Sequence, residues 1–228
     1  MRKVVIGILG TSEYMKTNNA FYDCYKYGNN YIKKIVENAA IPLLIPYVDE
    51  NIIEDTLDMC DGLLLPGGRY IREVNFKVID YFYKRKKPIL GICMGMQTLA
   101  MYSVNIENTN YKRIIKDIDT GTDHWPIEIL RDNVTDLAHI DYLDEDGILY
   151  KILGKKMIMV NSLHHHTVSE VGSIFKVIAR SEDGLIEGIE YDGDDRFILG
   201  IQFHPEVLPQ YNDIFKTFIN RCKDDISM

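Results

Sequence analysis

The sequence predicts an α/β fold: a mostly parallel central sheet covered by helices, with an antiparallel strand region in its second half. Two observations carry that expectation. From Val4 to Tyr102, runs that are apolar throughout alternate with stretches whose apolar residues recur at helical spacing. Strands without a polar face belong to a parallel sheet buried on both sides. From Phe175 to Phe203, strand-like runs follow one another across Glu-Asp-Gly and Asp-Gly-Asp-Asp turns, the spacing of antiparallel strands.

Val4 to Leu9 is a continuous apolar run and reads as a central strand. Thr11 to Asn30 is polar and tyrosine-rich, and reads as a long loop entering a helix. Tyr31 to Ala39 carries Ile32, Ile35, Val36 and Ala39 at helical spacing, and Pro42 bars its continuation. Leu43 to Ile45 is a short strand closed by Pro46. Asn51 to Asp58 reads as a short helix capped by Asp49 or Asn51. Gly62 to Pro66 is another buried strand, ending in Gly67-Gly68. Ile71 to Lys87 is helical, with Val74, Val78, Ile79 and Phe82 on one side. A strand then starts at Pro88, and strong helix formers follow Cys93. Past Tyr102 the pattern changes. Asn105 to Thr122 reads as irregular, Trp125 to Leu130 as a strand, and Asp141 to Gly147 as a solvated acidic loop. Met157 to Val160 reads as a strand leading into Asn161-Ser-Leu-His-His-His166. Phe175 to Arg180, Ile186 to Tyr191 and Phe197 to Phe203 are the late strands, and an amphipathic helix near Tyr211 to Arg221 closes the chain. With no internal repeat or linker, residues 1–228 read as a single domain.

A formal charge of −8 argues against a nucleic-acid or anionic-membrane surface. The 15 tyrosines are scattered and not interleaved with a basic stripe. No apolar run approaches the ~20 residues needed to span a bilayer, and the N-terminal run lacks a cleavage pattern, so a first core strand is expected there and not a signal peptide. Cys24, Cys60, Cys93 and Cys222 are few and widely spaced, which suggests reduced thiols in the cytoplasm.

The chemistry centres on Gly91-Ile-Cys93-Met-Gly95. A cysteine with glycine at both second neighbours, between strand and helix, has the design of a nucleophile elbow: the turn is sharp, so its neighbours must be small. The helix N-terminus favours a thiolate there. A thiolate needs a base and a group to orient that base. His204-Pro-Glu206 offers both: in an extended segment, residues two apart face the same way, and Pro205 stiffens that extension. Acyl transfer also needs N–H donors for the oxyanion, worth on the order of 10²–10³ in rate for one donor. The N–H of Met94 is one candidate, and the glycine pair Gly67-Gly68, where backbone can approach a ligand closely, is the other.

Leu65-Pro-Gly-Gly68, Gly91-Ile-Cys-Met-Gly-Met-Gln97 and Gly200-Ile-Gln-Phe-His-Pro-Glu206, in this order, resemble the class I glutamine amidotransferase superfamily. Val160-Asn-Ser-Leu-His-His165 and Ser181-Glu-Asp-Gly-Leu-Ile-Glu-Gly-Ile-Glu190 resemble its γ-glutamyl hydrolase branch, the peptidase C26 group. The resemblance implies a flavodoxin-like sandwich and a triad of Cys93 as nucleophile, His204 as base and acid, and Glu206 as its orienting partner. It also implies an oxyanion hole of Gly68 and Met94, with Gly67, Gln97, Ser162 and His164 in or along the substrate pocket. The implied activity is hydrolysis of γ-glutamyl amides, a small-molecule substrate class, without organic cofactor or metal. Two alternatives stay open: a glutaminase subunit delivering ammonia to a separate synthetase, and a degenerate binding module. A homodimer is compatible with either. Two departures fall on the leaving-group side. Ser103 to Asn110 contains no glycine where the branch has a Gly-Gly-Thr-Leu-like segment, and His166 stands where it commonly has glutamine. The run His164-His165-His166 is not expected to hold a metal, since no further His or Cys cluster adjoins it in sequence. His124 and His139 read as structural or surface residues.

Overall fold

The computed structural model describes residues 2–16, 21–48, 51–52, 54–106, 108, 111–119, 124 and 134–224. In chain order the first elements are β1 (Val5–Leu9), β2 (Thr11–Lys16), β3 (Phe21–Lys26), α1 (Asn29–Glu37), β4 (Ile41–Ile45), α2 (Glu54–Asp58) and β5 (Gly62–Leu65). Then come α3 (Glu73–Lys84), β6 (Ile89–Ile92), α4 (Met94–Ile106), β7 (Ile115–Asp117), β8 (His139–Leu143), α5 (Ile148–Leu153) and β9 (Met157–Val160). The last are β10 (His166–Val168), β11 (Phe175–Ser181), β12 (Ile186–Tyr191), β13 (Ile198–Ile201) and α6 (Asn212–Asp224).

Nine strands form one sheet in the order β4-β1-β5-β6-β13-β12-β11-β8-β9. The first five run parallel to their neighbours, and the remaining pairings are antiparallel. This is the α/β sandwich with an antiparallel extension that the sequence predicts. Side chains alternate faces along a strand, so each central strand feeds two cores. Ile6, Ile8, Leu64, Leu90, Ile92, Leu199 and Ile201 pack with α1, α5 and α6. Leu63, Leu65, Ile89, Ile189 and Ile198 pack with α2, α3 and α4. The strands lack a polar face because neither side of them meets water.

The structure departs from the sequence reading in four places. Residues 11–16 and 21–26 pair as the antiparallel strands β2 and β3, where a loop is expected. The pair leans on the end of β4: the Tyr25 ring packs edge-on against Tyr47, just past that strand, at 5.3 Å, and the hydroxyl of Tyr27, just past β3, donates to the Ile45 carbonyl at 3.0 Å. Tyr25 is thus a strand residue and not loop filler. Within the segment read as irregular, Ile115–Asp117 pairs with His166–Val168. The acidic run is only partly a loop: Asp141 sits fully buried in β8. Asn51 exchanges backbone hydrogen bonds with Val48; Asp49 and the Trp125–Leu130 stretch lie outside the described residues. Pro42 stands inside β4, which the edge of the sheet permits because one side of that strand needs no donor. Among the described residues, no helix is long and apolar enough to cross a membrane.

Candidate active site

Cys93 occupies the single residue between β6 and α4, and its φ is +54°. An L-residue in the left-handed region costs about 1–2 kcal/mol, and such strain persists only where surroundings hold it. Here the Cys93 N–H donates to the Ile201 carbonyl of β13 at 2.8 Å, and its own carbonyl accepts from Gln97 N–H at 3.1 Å as the first turn of α4. The flanking glycines are required by contact. A Cβ on Gly91 would lie 2.7 Å from Leu99 Cδ1, and one on Gly95 would run into the Leu65 carbonyl. The strand-to-helix turn therefore exists only because both positions lack a side chain.

The sheet order puts β13 beside β6, so the residues after Ile201 arrive next to Cys93. His204 Nδ1 lies 2.6 Å from Glu206 Oε1, and all three side chains are buried. With Nδ1 held by the carboxylate, the ring's other nitrogen is left for Cys93, whose sulfur is close enough to help raise the His204 pKa. The route to this geometry differs from the extended segment expected. Pro205–Val207 is a 3-10 turn with His204 before it, and proline at the first position of such a turn is preorganised by its fixed φ. Burial pushes the His204 pKa down, but the Glu206 carboxylate and Cys93 outweigh it and hold the ring well above its ordinary value. The imidazole is thus held with its proton beside the Cys93 sulfur.

Two residues support the pair that the sequence did not single out. Asn161, at the end of β9, takes the His204 N–H on Oδ1 at 2.9 Å and donates Nδ2 to the His204 carbonyl at 3.3 Å. Tyr31, the first buried residue of α1, accepts the Gly67 N–H at 3.0 Å and sits 3.4 Å from His204 Nδ1. Burial, Glu206 and Cys93 all raise the Tyr31 pKa, so it stays a neutral phenol. A signal for Asn161 was available in its place just before Ser-Leu-His; Tyr31 gave none beyond its helical position.

A cavity of about 760 Å³ opens over Cys93, lined also by Gly68, Met94, Gln97 and His164 among others. Arg69 and Arg113 also line it and bring positive charge to its wall. A Cβ on Gly67 would crowd the His204 ring at 2.9 Å, so that glycine keeps the backbone close to the imidazole. Gln97 donates Nε2 to the His166 carbonyl and to Gln202 Oε1, each at 3.1 Å. Ser162 is placed behind the wall: it is fully buried, and its hydroxyl donates to the His124 carbonyl at 2.7 Å. Burial drives the His164 pKa down to about 3, so that ring is neutral.

A parallel-to-antiparallel sheet with a strained cysteine at one strand end and a carboxylate-paired histidine at the next defines a domain of the class I glutamine amidotransferase type. The chain belongs to the peptidase C26 family, whose profile matches residues 4–75 and 72–206. It is 31% identical over 224 residues to PB2B2.05 of Schizosaccharomyces pombe, named as a candidate glutamine amidotransferase, covering 85% of this chain and 81% of that one. It is 24% identical over 229 residues to the γ-glutamyl-γ-aminobutyrate hydrolase PuuD of Escherichia coli, covering 86% of each. In fold it is similar to a Thermoplasma acidophilum crystal structure described as a candidate component of GMP synthase, with TM-score 0.70, 20% identity, and coverage of 100% and 98%.

Proposed function

We propose that residues 1–228 act as one cytoplasmic, cysteine-dependent hydrolase of γ-glutamyl amides. The observation that carries this reading is the 2.6 Å His204–Glu206 pair beside a cysteine held at positive φ. In the proposed reaction the Cys93 thiolate attacks the side-chain γ-carbonyl. The N–H groups of Gly68 and Met94 receive the oxyanion. His204 gives its proton to the departing amine, and the C–N bond breaks to leave a γ-glutamyl thioester. His204, now neutral, takes a proton from water, which cleaves the thioester and frees glutamate. Arg69 and Arg113 suit the α-carboxylate that every γ-glutamyl compound carries, and the similarity to PuuD supports a γ-glutamyl amine as substrate.

The second reading, a glutaminase that supplies ammonia to a separate synthetase, is favoured by the similarity to PB2B2.05. One assay separates the two. Pure protein is offered L-glutamine and a panel of γ-glutamyl amines, with Cys93→Ser as control. Turnover of γ-glutamyl amines by the protein alone, lost in Cys93→Ser, is expected. Glutamine hydrolysis that emerges only on adding a synthetase selects the second reading, and undiminished turnover by Cys93→Ser overturns the mechanism.

A further inference from the structure

Behind the catalytic cavity lies a buried cluster that the reaction above does not use. His124, His139, His164 and Glu187 each offer one ligand atom, and these atoms all lie within 4.8 Å of one another. They come from four separate parts of the chain: β8 supplies His139, β12 supplies Glu187, the segment after β9 supplies His164, and His124 belongs to none of these. All four side chains are at most 3% exposed.

The hydrogen bonding of the rings decides what the cluster is. His164 Nδ1 is 3.0 Å from the His166 carbonyl, which only accepts, so Nδ1 carries the proton and Nε2 presents a lone pair. His124 Nε2 lies 3.1 Å from an Asp183 carboxylate oxygen, which leaves Nδ1 facing inward. His139 Nδ1 stands 3.2 Å from Asp141 Oδ1, an ion-pair contact without hydrogen-bond geometry, and both ring nitrogens are buried without a hydrogen-bond partner. His124 Nδ1, His139 Nε2, His164 Nε2 and both Glu187 oxygens are buried without a hydrogen-bond partner. Buried polar atoms are nearly always paired, and leaving one unpaired costs about 1–3 kcal/mol. Here several face one another, all of them electron-pair donors. Glu187 Oε1 is 3.9 Å from His124 Nδ1 and 3.7 Å from His164 Nε2. Those gaps are too long for hydrogen bonds. They approach the roughly 3.3 Å between donors around a tetrahedral ion with bonds of about 2.0–2.1 Å. The outer partners have the arrangement of a metal site as well. An acceptor on the far nitrogen of a ligating histidine fixes its tautomer and raises its basicity.

We propose that His124 Nδ1, His139 Nε2, His164 Nε2 and Glu187 bind one divalent transition-metal ion, zinc by preference, in a closed structural site. Three imidazoles and a carboxylate suit zinc, and a fully ligated ion without an open position holds parts together and does no chemistry. What it holds is the wall of the catalytic cavity. The His124 carbonyl already receives the Ser162 hydroxyl and the His164 N–H, and residues 163–166 line the cavity. The sequence alone hides this site because its ligands are scattered from residue 124 to residue 187, and the conspicuous histidine run contributes only His164.

The test uses untagged full-length protein carrying Cys93→Ser, so that the nucleophile cannot supply the ligand. Protein is incubated with micromolar zinc, dialysed against metal-free buffer and measured for metal content, thermal midpoint and, after cobalt substitution, visible absorption. About one zinc per chain is expected, with a tetrahedral cobalt spectrum and a midpoint that rises on zinc addition. His139→Gln and Glu187→Gln are expected to lower retained zinc at least tenfold. Should those variants misfold, Asp183→Asn, which meets the cluster at the outer nitrogen of His124 and keeps its shape, is expected to weaken zinc affinity about 10–100-fold. A protein with native circular dichroism that retains no zinc overturns the proposal, and so does full zinc retention in folded His139→Gln or Glu187→Gln.

Discussion

His204 is the residue where position and charge meet. Asn161 fixes its backbone from both sides, and Glu206 fixes its ring and its proton. Replacing Glu206 by Gln keeps the shape and removes the charge. Because the carboxylate is what holds the His204 pKa up against burial, the variant's His204 gives up its proton at lower pH. We expect kcat to fall by about 10²–10⁴ and the alkaline limb of its pH profile to move to lower pH. A limb that stays in place would show that Glu206 does not set the titration. Stability follows the same linkage. A folded pKa above the unfolded value of about 6.5 stabilises the fold fully below that pH, and the contribution is lost as pH rises through the raised value. Denaturation curves of wild type and Glu206→Gln should therefore differ most in mildly acidic buffer and converge at high pH. Asn161→Ala leaves a buried N–H and carbonyl short of partners and is expected to cost about 1–3 kcal/mol, with kcat falling alongside. Unchanged kcat in a folded Asn161→Ala protein would remove Asn161 from the positioning role.

Among the elements, the junction of β6 and α4 is the most tightly specified. Gly95 lets the first turn of α4 rest on the carbonyl of Leu65 in β5, where no side chain fits. Gly95→Ala must push backbone against backbone, and we expect a loss of about 1–3 kcal/mol or more. That is a fall of about 2–12 °C in thermal midpoint for a chain of this size. Gly184 makes the contrast: its φ is +83° with nothing near the missing Cβ, so alanine there meets only the left-handed penalty of about 1–2 kcal/mol. If the two variants melt together, crowding at Gly95 is not what the junction depends on. This junction was legible in the sequence because glycine spacing around Cys93 encodes a steric demand made by neighbours close in the chain. The His204–Glu206 pairing was also legible, though its backbone was not. Proline between the two residues suits an extended segment and a 3-10 turn alike, and only the end of β13 at Ile201 decides for the turn. The pairing of β2 with β3 and the short pairing of β7 with β10 escaped notice for a related reason. Their strands are stabilised by partners and by tyrosines resting on β4, not by a local hydrophobic period.

The whole molecule is two cores separated by one sheet, and the sheet decides whether they can act separately. Alternate residues of β1, β5, β6 and β13 belong to opposite cores, so neither core can open without releasing strands that the other needs. Two buried cysteines report on this. Cys222 lies in the core with α6, Cys60 in the core with α2 and α3, and both are fully buried. Burial also pushes the Cys60 thiol up to about 11, which keeps it in its unreactive form in native protein. Cys24 is partly exposed and Cys93 lines the cavity, so these two are expected to alkylate in native buffer. Cys60 and Cys222 are expected to stay protected until urea unfolds the chain, and then to become reactive at the same midpoint. Coincident transitions by independent probes are the mark of one cooperative unit. Mass spectrometry of alkylated peptides across a urea series reads both thiols in one experiment. A lower midpoint for Cys222 than for Cys60, or the reverse, would mean that one helical layer peels away from the sheet, and the single-domain reading of residues 1–228 would have to be given up.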